Sequence, residues 1–186
     1  AREAIEKYGV KAVATKCNVT VKSEVDAMVE LSVKTLGRID ILNHVAGVFG
    51  AVDFMKSTEA DYDKQMDINA KGTYFVDQAV LRIMIPNRAG KIVNMCSQAG
   101  KYGFHTNVAY TASKFAVAGM TQSIAQYAAP YNINVNCVCP GVVRTNIWER
   151  ALDDIRRQGG DGEAYFQSRL QDNPRKRAQT MEDVAR

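Results

Sequence analysis

The sequence predicts an α/β fold in which a parallel sheet is doubly wound, with helices on both of its faces. Short apolar segments alternate with longer helical patterns along the chain, which is the order expected of β-α-β units. These segments end in loops of small or helix-breaking residues, and the composition, 46% hydrophobic and 24% charged, is that of an ordinary globular domain. We expect residues 1–186 to form one domain.

Turn and capping residues set the bounds of the predicted elements. Gly37 is a C-terminal stop for the first helix, and Thr58 with Asp61 fits a capping box at the start of the next. Pro86 and Pro130 end the following helices. Strands are predicted at residues 11–18, 40–45, 91–95 and 132–138, helices at 21–36, 58–85 and 108–128, and a more polar helical region after residue 145.

Charge and cysteine content exclude several classes of protein. The net charge of +4 comes from interspersed residues, and the basic cluster at 175–177 is too short for a nucleic-acid surface. No apolar run approaches the ~18 residues that a membrane-spanning helix needs. No two cysteines have Cys-x-x-Cys spacing, so we expect no metal site and reduced thiols in a cytoplasmic protein. The cysteines are Cys17, Cys96, Cys137 and Cys139, the last two spaced to share one side of a strand.

A tyrosine and a lysine lie four residues apart on the helix predicted at 108–128. Tyr110 and Lys114 therefore share one face of that helix. An ammonium group beside a phenol lowers the pKa of the phenol, and a tyrosine tuned in this way exchanges protons near neutral pH. Taken alone the spacing is weak evidence, because helices contain it often by chance.

Three further features accompany this pair. Ser97 follows the strand at 91–95, where its hydroxyl can hydrogen-bond a carbonyl oxygen. Asn69 is a poor helix former inside a helical region, which indicates either a kink or an ordered water site. Residues 140–145 form a loop directly after the last predicted strand, at the sheet edge where α/β proteins bind ligands.

In this order and spacing, the residues resemble those of the short-chain dehydrogenase/reductase family over nearly the whole chain. Residues 17–20 are similar to the family's adenine-side motif, and residues 44–47 to the motif after its fourth strand. The resemblance implies a Rossmann-like fold, a nicotinamide cofactor (NAD or NADP), a small-molecule substrate, and no nucleic-acid or membrane partner. The residues that match the catalytic tetrad are Asn69, Ser97, Tyr110 and Lys114.

The resemblance also implies a role for each matched residue. Tyr110 would be the general acid or base, and Ser97 would hold the reacting oxygen. Lys114 would lower the pKa of Tyr110 and hydrogen-bond the nicotinamide ribose, while Asn69 would hold a water that links Lys114 to solvent. The residues expected to contact the cofactor are Asn18, Val19, His44, Ala46, Gly47, Tyr110, Lys114, Pro140, Gly141, Val143 and Thr145.

The chain departs from the family pattern at several places. Asn18 stands where the family has aspartate, and His44 and Val45 stand where it has two asparagines; we expect His44 to be a structural substitute. No Gly-x-Gly-x-x-Gly loop occurs, and the family's first β-α-β unit and last strand are unmatched. We therefore expect an incomplete piece of a longer enzyme, in which residues 11–18 have no neighbouring strand. The choice between NAD and NADP stays open, with NAD weakly favoured.

Gln98 and Trp148 fall where the family lines its substrate pocket, beside Ser97 and Tyr110. A glutamine beside an aromatic wall suits a small diol, hydroxyketone or sugar alcohol, unless Gln98 is solvent-exposed and Trp148 merely packs in a lid. Two alternatives remain: a 3-oxoacyl-thioester reductase, and a non-catalytic oligomerising piece. Helices 69–85 and 108–128 match the family's dimer interface, so a homo-oligomer, either dimer or tetramer, is expected.

Overall fold

In the computed structural model, which describes residues 2–171 and 173–185, parallel strands form a sheet in the order β1-β2-β3. The strands are Ile41–His44 (β1), Gly90–Met95 (β2) and Ile133–Val138 (β3). The α-helices are Arg2–Glu6 (α1), Lys22–Leu36 (α2), Glu59–Gln65 (α3), Gly72–Asn87 (α4), Val108–Ala128 (α5), Asn146–Arg157 (α6), Gly162–Gln171 (α7) and Met181–Ala185 (α8). A π-helical segment spans Met66–Lys71, and 3₁₀ turns span Phe54–Lys56, Gln98–Gly100 and Ala129–Tyr131.

The predicted strand at residues 11–18 is wrong. This segment adopts no regular structure, and no described strand pairs with the free edge of β1. A strand exists through the hydrogen bonds of its ladder, and these residues have no strand beside them to provide one. The other three predicted strands are confirmed, with ends that move by no more than about two residues.

The predicted helix at 58–85 is divided into three parts. Thr58 and Asp61 form the capping box expected at its start. The chain then passes from α3 through the π-helical segment into α4, which includes Pro86 in its last turn and ends where Arg88 is left-handed, with φ of 49°. π-Helical turns are rare and accumulate at functional sites. This one contains Asn69.

The core lies on one face of the sheet. Along β2, Ile92 and Asn94 are buried, whereas Lys91 is exposed and Val93 is only partly buried, which is the alternation of a sheet with one covered face. Val25 of α2 and Met84 of α4 pack with Ile92, and each of the three has 0% of its surface exposed. Full burial of such a side chain contributes about 1.5–3 kcal/mol. The expected covering of both faces is not met within the described residues; the other face carries polar side chains such as Asn134 and Asn136.

A second, smaller core joins the C-terminal helices to the loop after β3. Val142, Leu152 and Phe166 are buried together, and the Trp148 ring packs against them. This cluster fixes α6 and α7 over the carboxyl ends of the strands. Within residues 2–171 and 173–185, no helix combines the length and the apolarity that crossing a membrane requires.

Candidate active site

The loops after β2 and β3 meet at a cleft of about 470 Å³ at the carboxyl edge of the sheet. Predicted site residues from three separate segments line it, because the parallel strands β2 and β3 end side by side. The lining includes Ser97, Gln98, Tyr110, Gly141 and Trp148. Of the expected cofactor loop, Val142 lines this cleft, whereas Val143 and Thr145 do not.

Tyr110 and Lys114 share one face of α5, as their spacing predicts. The Lys114 nitrogen lies 5.7 Å from the centre of the Tyr110 ring and donates a hydrogen bond to the Met95 carbonyl oxygen at 2.8 Å. The Phe49 ring packs edge-on against Tyr110, with ring centres 4.9 Å apart. Lys114 is 4% exposed, so its ammonium is held between the helix and the end of β2.

The expected lowering of the Tyr110 pKa is wrong for this structure. Burial raises the pKa of Tyr110, and a hydrogen bond with Ser97 opposes that rise only in part. Burial also lowers the pKa of Lys114 to about 8, although the nearby Cys96 and Cys139 oppose this change. Desolvation outweighs the attraction that the spacing alone predicts, because Lys114 lies beside the ring and bonds to a backbone carbonyl.

Ser97 lies in extended backbone at the end of β2, where its hydroxyl accepts a hydrogen bond from the Ala99 amide at 3.1 Å. The next residue, Gln98, donates its backbone N–H to the Pro140 carbonyl at 2.9 Å and thereby ties the two loops together. The Gln98 side-chain oxygen accepts a hydrogen bond from the Tyr102 hydroxyl at 3.1 Å. Gln98 thus lies in the cleft, but one of its polar atoms is already engaged.

Asn69 is 1% exposed and bonds to the loop that follows β1. Its side-chain oxygen accepts from the Val48 amide at 2.8 Å, and its side-chain nitrogen donates to the Val48 carbonyl and to the Ser113 hydroxyl, both at 3.0 Å. A Cβ at Gly47 would lie 3.1 Å from the Asn69 oxygen and 3.6 Å from the Lys114 nitrogen. The side chain therefore positions the Gly47 loop beside Lys114, and Ala46 precedes that glycine.

His44 is a neutral, buried side chain at the end of β1. It is 5% exposed, its Nε2 atom has no hydrogen-bond partner, and burial together with the nearby Lys114 lowers its pKa to about 4. A ring that stays neutral at physiological pH agrees with the expected structural role of His44. No contact among the described residues indicates a further role for it.

The predicted adenine-side residues form a local turn. The Asn18 side-chain oxygen accepts hydrogen bonds from the Thr20 backbone amide at 3.1 Å and from the Thr20 hydroxyl at 2.9 Å. Val19 packs against Gly72, where an added Cβ would lie 2.7 Å from a Val19 methyl group. Neither residue lines the cleft around Tyr110.

Gln179 holds the loop at 140–145, a role that sequence reasoning missed. The Gln179 side-chain oxygen accepts a hydrogen bond from the Gly141 backbone amide at 2.7 Å. The Gln179 backbone amide donates a hydrogen bond to the Val142 carbonyl oxygen, also at 2.7 Å. A residue almost forty positions downstream thus fixes the backbone of the loop. Only the folded path of the chain brings it there, because no motif marks it.

Three cleft residues also escaped the sequence-based reasoning: Phe49, Phe104 and Arg169. The Arg169 guanidinium stacks over the Phe104 ring at 4.4 Å, and the Phe49 ring lies 5.3 Å from the Trp148 ring. Arg169 belongs to α7, within a polar stretch without pattern. Only the tertiary structure shows that this arginine lines the cleft.

A sequence profile described as short chain dehydrogenase matches residues 1–156. The chain belongs to the short-chain dehydrogenase family. This confirms the resemblance drawn from the combined order and spacing of the motifs around Asn69, Ser97, Tyr110 and Lys114, and the three-stranded parallel sheet is an incomplete version of the family's Rossmann-like fold.

Two family members with similar sequences are named for a keto sugar acid and for a sugar alcohol. The chain is 36% identical over 152 residues to 5-keto-D-gluconate 5-reductase of Escherichia coli K12, covering 82% of the chain and 60% of that protein. It is 42% identical over 142 residues to galactitol 2-dehydrogenase of Agrobacterium fabrum C58, covering 76% of the chain and 56% of that protein. The chain therefore spans three fifths or less of the length of these curated relatives.

Solved structures of the family superimpose closely on the chain. An NAD⁺-bound xylitol dehydrogenase gives a TM-score of 0.89 at 32% identity, covering 96% of this chain and 72% of that one. Other matched structures hold NADPH. The matched structures thus hold either NAD⁺ or NADPH, and the similarity does not indicate which of the two this chain binds.

Proposed function

We propose that the complete protein is an oxidoreductase that transfers a hydride between a nicotinamide cofactor and a small secondary alcohol or ketone. The observation that carries this proposal is the cleft in which Ser97 and Tyr110 lie together, with Lys114 buried behind the Tyr110 ring. These three side chains come from a strand end and a helix face that meet only in the folded chain.

In this proposal Tyr110 moves the proton. Its hydroxyl gives a proton to a ketone oxygen, or takes one from an alcohol, while the Ser97 hydroxyl holds that same oxygen by a hydrogen bond. Burial raises the pKa of Tyr110 above its ordinary value, which favours the neutral phenol, the form that donates. Lys114 adds a positive charge behind the ring, and Asn69 keeps the Gly47 loop in place beside it.

The residues at this edge of the sheet fit the nicotinamide half of the cofactor. A Cβ at Gly47 would approach Asn69 and Lys114 closely, so the glycine leaves a narrow space beside the lysine. We propose that Gly47, Lys114 and the backbone at Gly141 and Val143 border the nicotinamide and its ribose. When bound, the nicotinamide ring supplies the hydride acceptor or donor.

The other proposed cofactor contacts follow from likeness to the family motifs. They are Asn18, Val19, His44, Ala46, Pro140 and Thr145. The sequence has no Gly-x-Gly-x-x-Gly loop, which in such folds holds the pyrophosphate. NAD is proposed over NADP only because the relatives act on polyols.

The substrate class we propose is a small polyhydroxylated compound. Gln98 contributes an amide at the cleft, and the rings of Phe49 and Trp148 form an aromatic wall. Arg169 also lines the cleft, with its guanidinium stacked over the Phe104 ring. A keto sugar acid or a sugar alcohol suits this amide and aromatic lining, and similar relatives are named for substrates of both kinds.

The test is a substrate panel for the complete protein with NAD(H) and NADP(H). The panel contains a keto sugar acid, a hexitol, butanediol, 2-butanol and an acetoacetyl thioester, and turnover is followed by nicotinamide absorbance. We expect the keto sugar acid and the hexitol to react fastest, and Gln98→Leu to reduce that preference. If the thioester is reduced fastest, the acyl-reductase alternative is correct; if cofactor binds and nothing reacts, the substrate proposal fails.

We also propose a homo-oligomer, dimer or tetramer, that forms through the outer faces of α4 and α5. Tyr74 on α4 and Phe115 and Tyr127 on α5 are large side chains with 45–63% of their surface exposed. Burial of such a patch against a second copy is favourable. Analytical ultracentrifugation of the complete protein tests this, because a monomer at micromolar concentration contradicts it.

A cytoplasmic location remains proposed from the cysteines. All four are free in the structure, which is typical of proteins in a reducing compartment. Fractionation of cells that express the tagged protein would decide it.

A further inference from the structure

Three cysteines come together at the ends of β2 and β3. The register pairs Asn94 with Cys137 and Met95 with Val138, so Cys96 and Cys139 follow on neighbouring strands. Side chains alternate along a strand, and Cys96, Cys137 and Cys139 therefore project to the same face. Their three sulfur atoms all lie within 4.8 Å of one another.

This cysteine cluster (Cys96, Cys137 and Cys139) lies between the sheet and α5. The Cys96 thiol is 3% exposed and donates a hydrogen bond to the Lys114 carbonyl oxygen at 3.3 Å. The Thr121 hydroxyl of α5 lies within hydrogen-bonding reach of Cys137. Cys137 and Cys139 are half-buried, which leaves an approach from solvent.

The spacing suits a thiophilic metal ion. Zinc–sulfur bonds of about 2.3 Å in tetrahedral geometry place the sulfurs roughly 3.8 Å apart. The sulfurs are within 4.8 Å of one another, so side-chain adjustments of about 1 Å or less would bring all three into the coordination sphere. Three thiolates are soft ligands that prefer zinc and similar ions to magnesium or calcium.

Across the described parts of the chain, no fourth histidine, cysteine, aspartate or glutamate joins this group. A bound ion would therefore keep one open position, filled by water or by a small ligand. The expectation that the cysteines make no metal site rested on the missing Cys-x-x-Cys spacing. Neighbouring strands bring the ligands together instead, which spacing along the sequence does not reveal.

We propose that Cys96, Cys137 and Cys139 form a three-thiolate site for one zinc- or cadmium-class ion. Binding forms three metal–sulfur bonds and releases the three thiol protons to solvent. The Cys96 thiol then no longer donates to the Lys114 carbonyl, and the cluster gains a net negative charge behind the proposed proton-transfer residues. Occupancy should therefore lower turnover, a consequence that rests on the proposed function, whereas binding itself does not.

The test measures binding directly on the complete protein, stripped of metal and kept reduced with a non-thiol reductant. Titration with Cd²⁺ is followed by thiolate-to-metal charge-transfer absorption, and Zn²⁺ stoichiometry by equilibrium dialysis. We expect one ion per chain. Cys137→Ser and Cys139→Ser should weaken binding at least about tenfold, while Cys17→Ser, the matched control outside the cluster, should bind as the wild type does.

A second measurement needs no variant. Zn²⁺ should protect the half-buried Cys137 and Cys139 from alkylation, with Cys17 still modified, as read by peptide mass spectrometry. Circular dichroism checks that each variant folds. No binding by the wild type, unchanged binding by both cluster variants, or equal alkylation of all four cysteines with and without Zn²⁺ would overturn the site. If the ion binds and turnover is unchanged, only the link to Lys114 fails.

Discussion

The loops after β2 and β3 differ from the segment before α2 in how their backbone is held. The former are bonded to distant parts of the chain: Gln98 to Pro140, and Gly141 to Gln179. The segment at 10–21 is held mainly by local hydrogen bonds, such as those that Thr20 donates to Asn18 and the one that Asn18 donates to Glu24. The cleft is therefore built from long-range contacts, and the segment at 10–21 from turns.

This contrast predicts which region of the structure is more sensitive to substitution. A region fixed by long-range contacts in a crowded space responds strongly to a single atom added or removed. A region of local turns takes its final shape from whatever lies beside it. The following predictions test the two halves of this comparison, beginning with the largest effect.

Removal of the Tyr110 hydroxyl should have the largest effect. We expect Tyr110→Phe to lower turnover of the complete protein by about 10²–10⁴, the usual contribution of a general acid or base. Steady-state kinetics with the best panel substrate measures it. Tyr8→Phe, at a ring that is 86% exposed and does not line the cleft, is the matched control and should retain full turnover. A Tyr110→Phe variant with near-normal turnover would falsify the proton-transfer role.

The second prediction concerns cofactor binding by residues 1–186 expressed alone. We expect NAD and NADP to bind more weakly than micromolar, because the sequence supplies no glycine-rich cradle for the pyrophosphate. Calorimetric titration with both cofactors measures this. Micromolar binding would mean that the adenine-side turn at Asn18 contributes more than the structure indicates.

A methyl group added at Gly100 should destabilise the crowded end. Its Cβ would lie 2.8 Å from the Lys114 carbonyl oxygen and would also contact the Cys96 sulfur. We expect Gly100→Ala to lower the free energy of unfolding by about 1–3 kcal/mol. Gly119→Ala is the contrasting variant, since nothing lies within 4 Å of its Cβ. It should stabilise α5 by about 0.5–1 kcal/mol. Urea denaturation of both compares them; equal stability would contradict the crowding.

The fourth prediction concerns a buried carboxyl. Asp77 has 0% of its surface exposed, bonds to the Asn94 side chain at 2.7 Å, and leaves one oxygen without a partner. Burial raises its pKa from 3.8 to about 6. Between these values the folded chain keeps a proton that the unfolded chain releases, so this contribution to stability is present below pH 4 and is lost as pH rises through 6.

Asp77→Asn removes that loss. We expect the variant to exceed the wild type by about 1–2 kcal/mol at pH 7.5, with a smaller difference at pH 4. Urea denaturation at the two pH values measures it. A gain that is equal at both values would show that the carboxyl is not the titrating group.

Features that depend on local sequence patterns were predictable. The four-residue spacing of Tyr110 and Lys114, the capping box at Thr58 and three strands of the sheet follow from local patterns. The position of Ser97 at the end of β2 follows from the order of the elements. The strand predicted at 11–18 fails because a ladder depends on a partner as well as on propensity.

Features that depend on distant contacts were not predictable. The raised pKa of Tyr110 reflects burial, which the spacing to Lys114 does not reveal. Arg169 and Gln179 reach the cleft and its loop through the path of α7 and the chain after it. The cysteine cluster depends on strand register, which no single segment encodes.

The π-helical segment changes the direction in which side chains project from the helices on either side of it. A π-turn adds one residue to an α-helical path, and each residue turns an α-helix by about 100°. The side chains of α4 are therefore rotated about the helix axis relative to those of α3. Deletion of one residue between Met66 and Lys71 would restore regular helix, yet it would turn either α3 or Asn69 away from its present neighbours. Because of the π-helical segment, α3 and α4 form one continuous helical path with two packing faces of different orientation. One face packs toward α5 and the other toward the sheet.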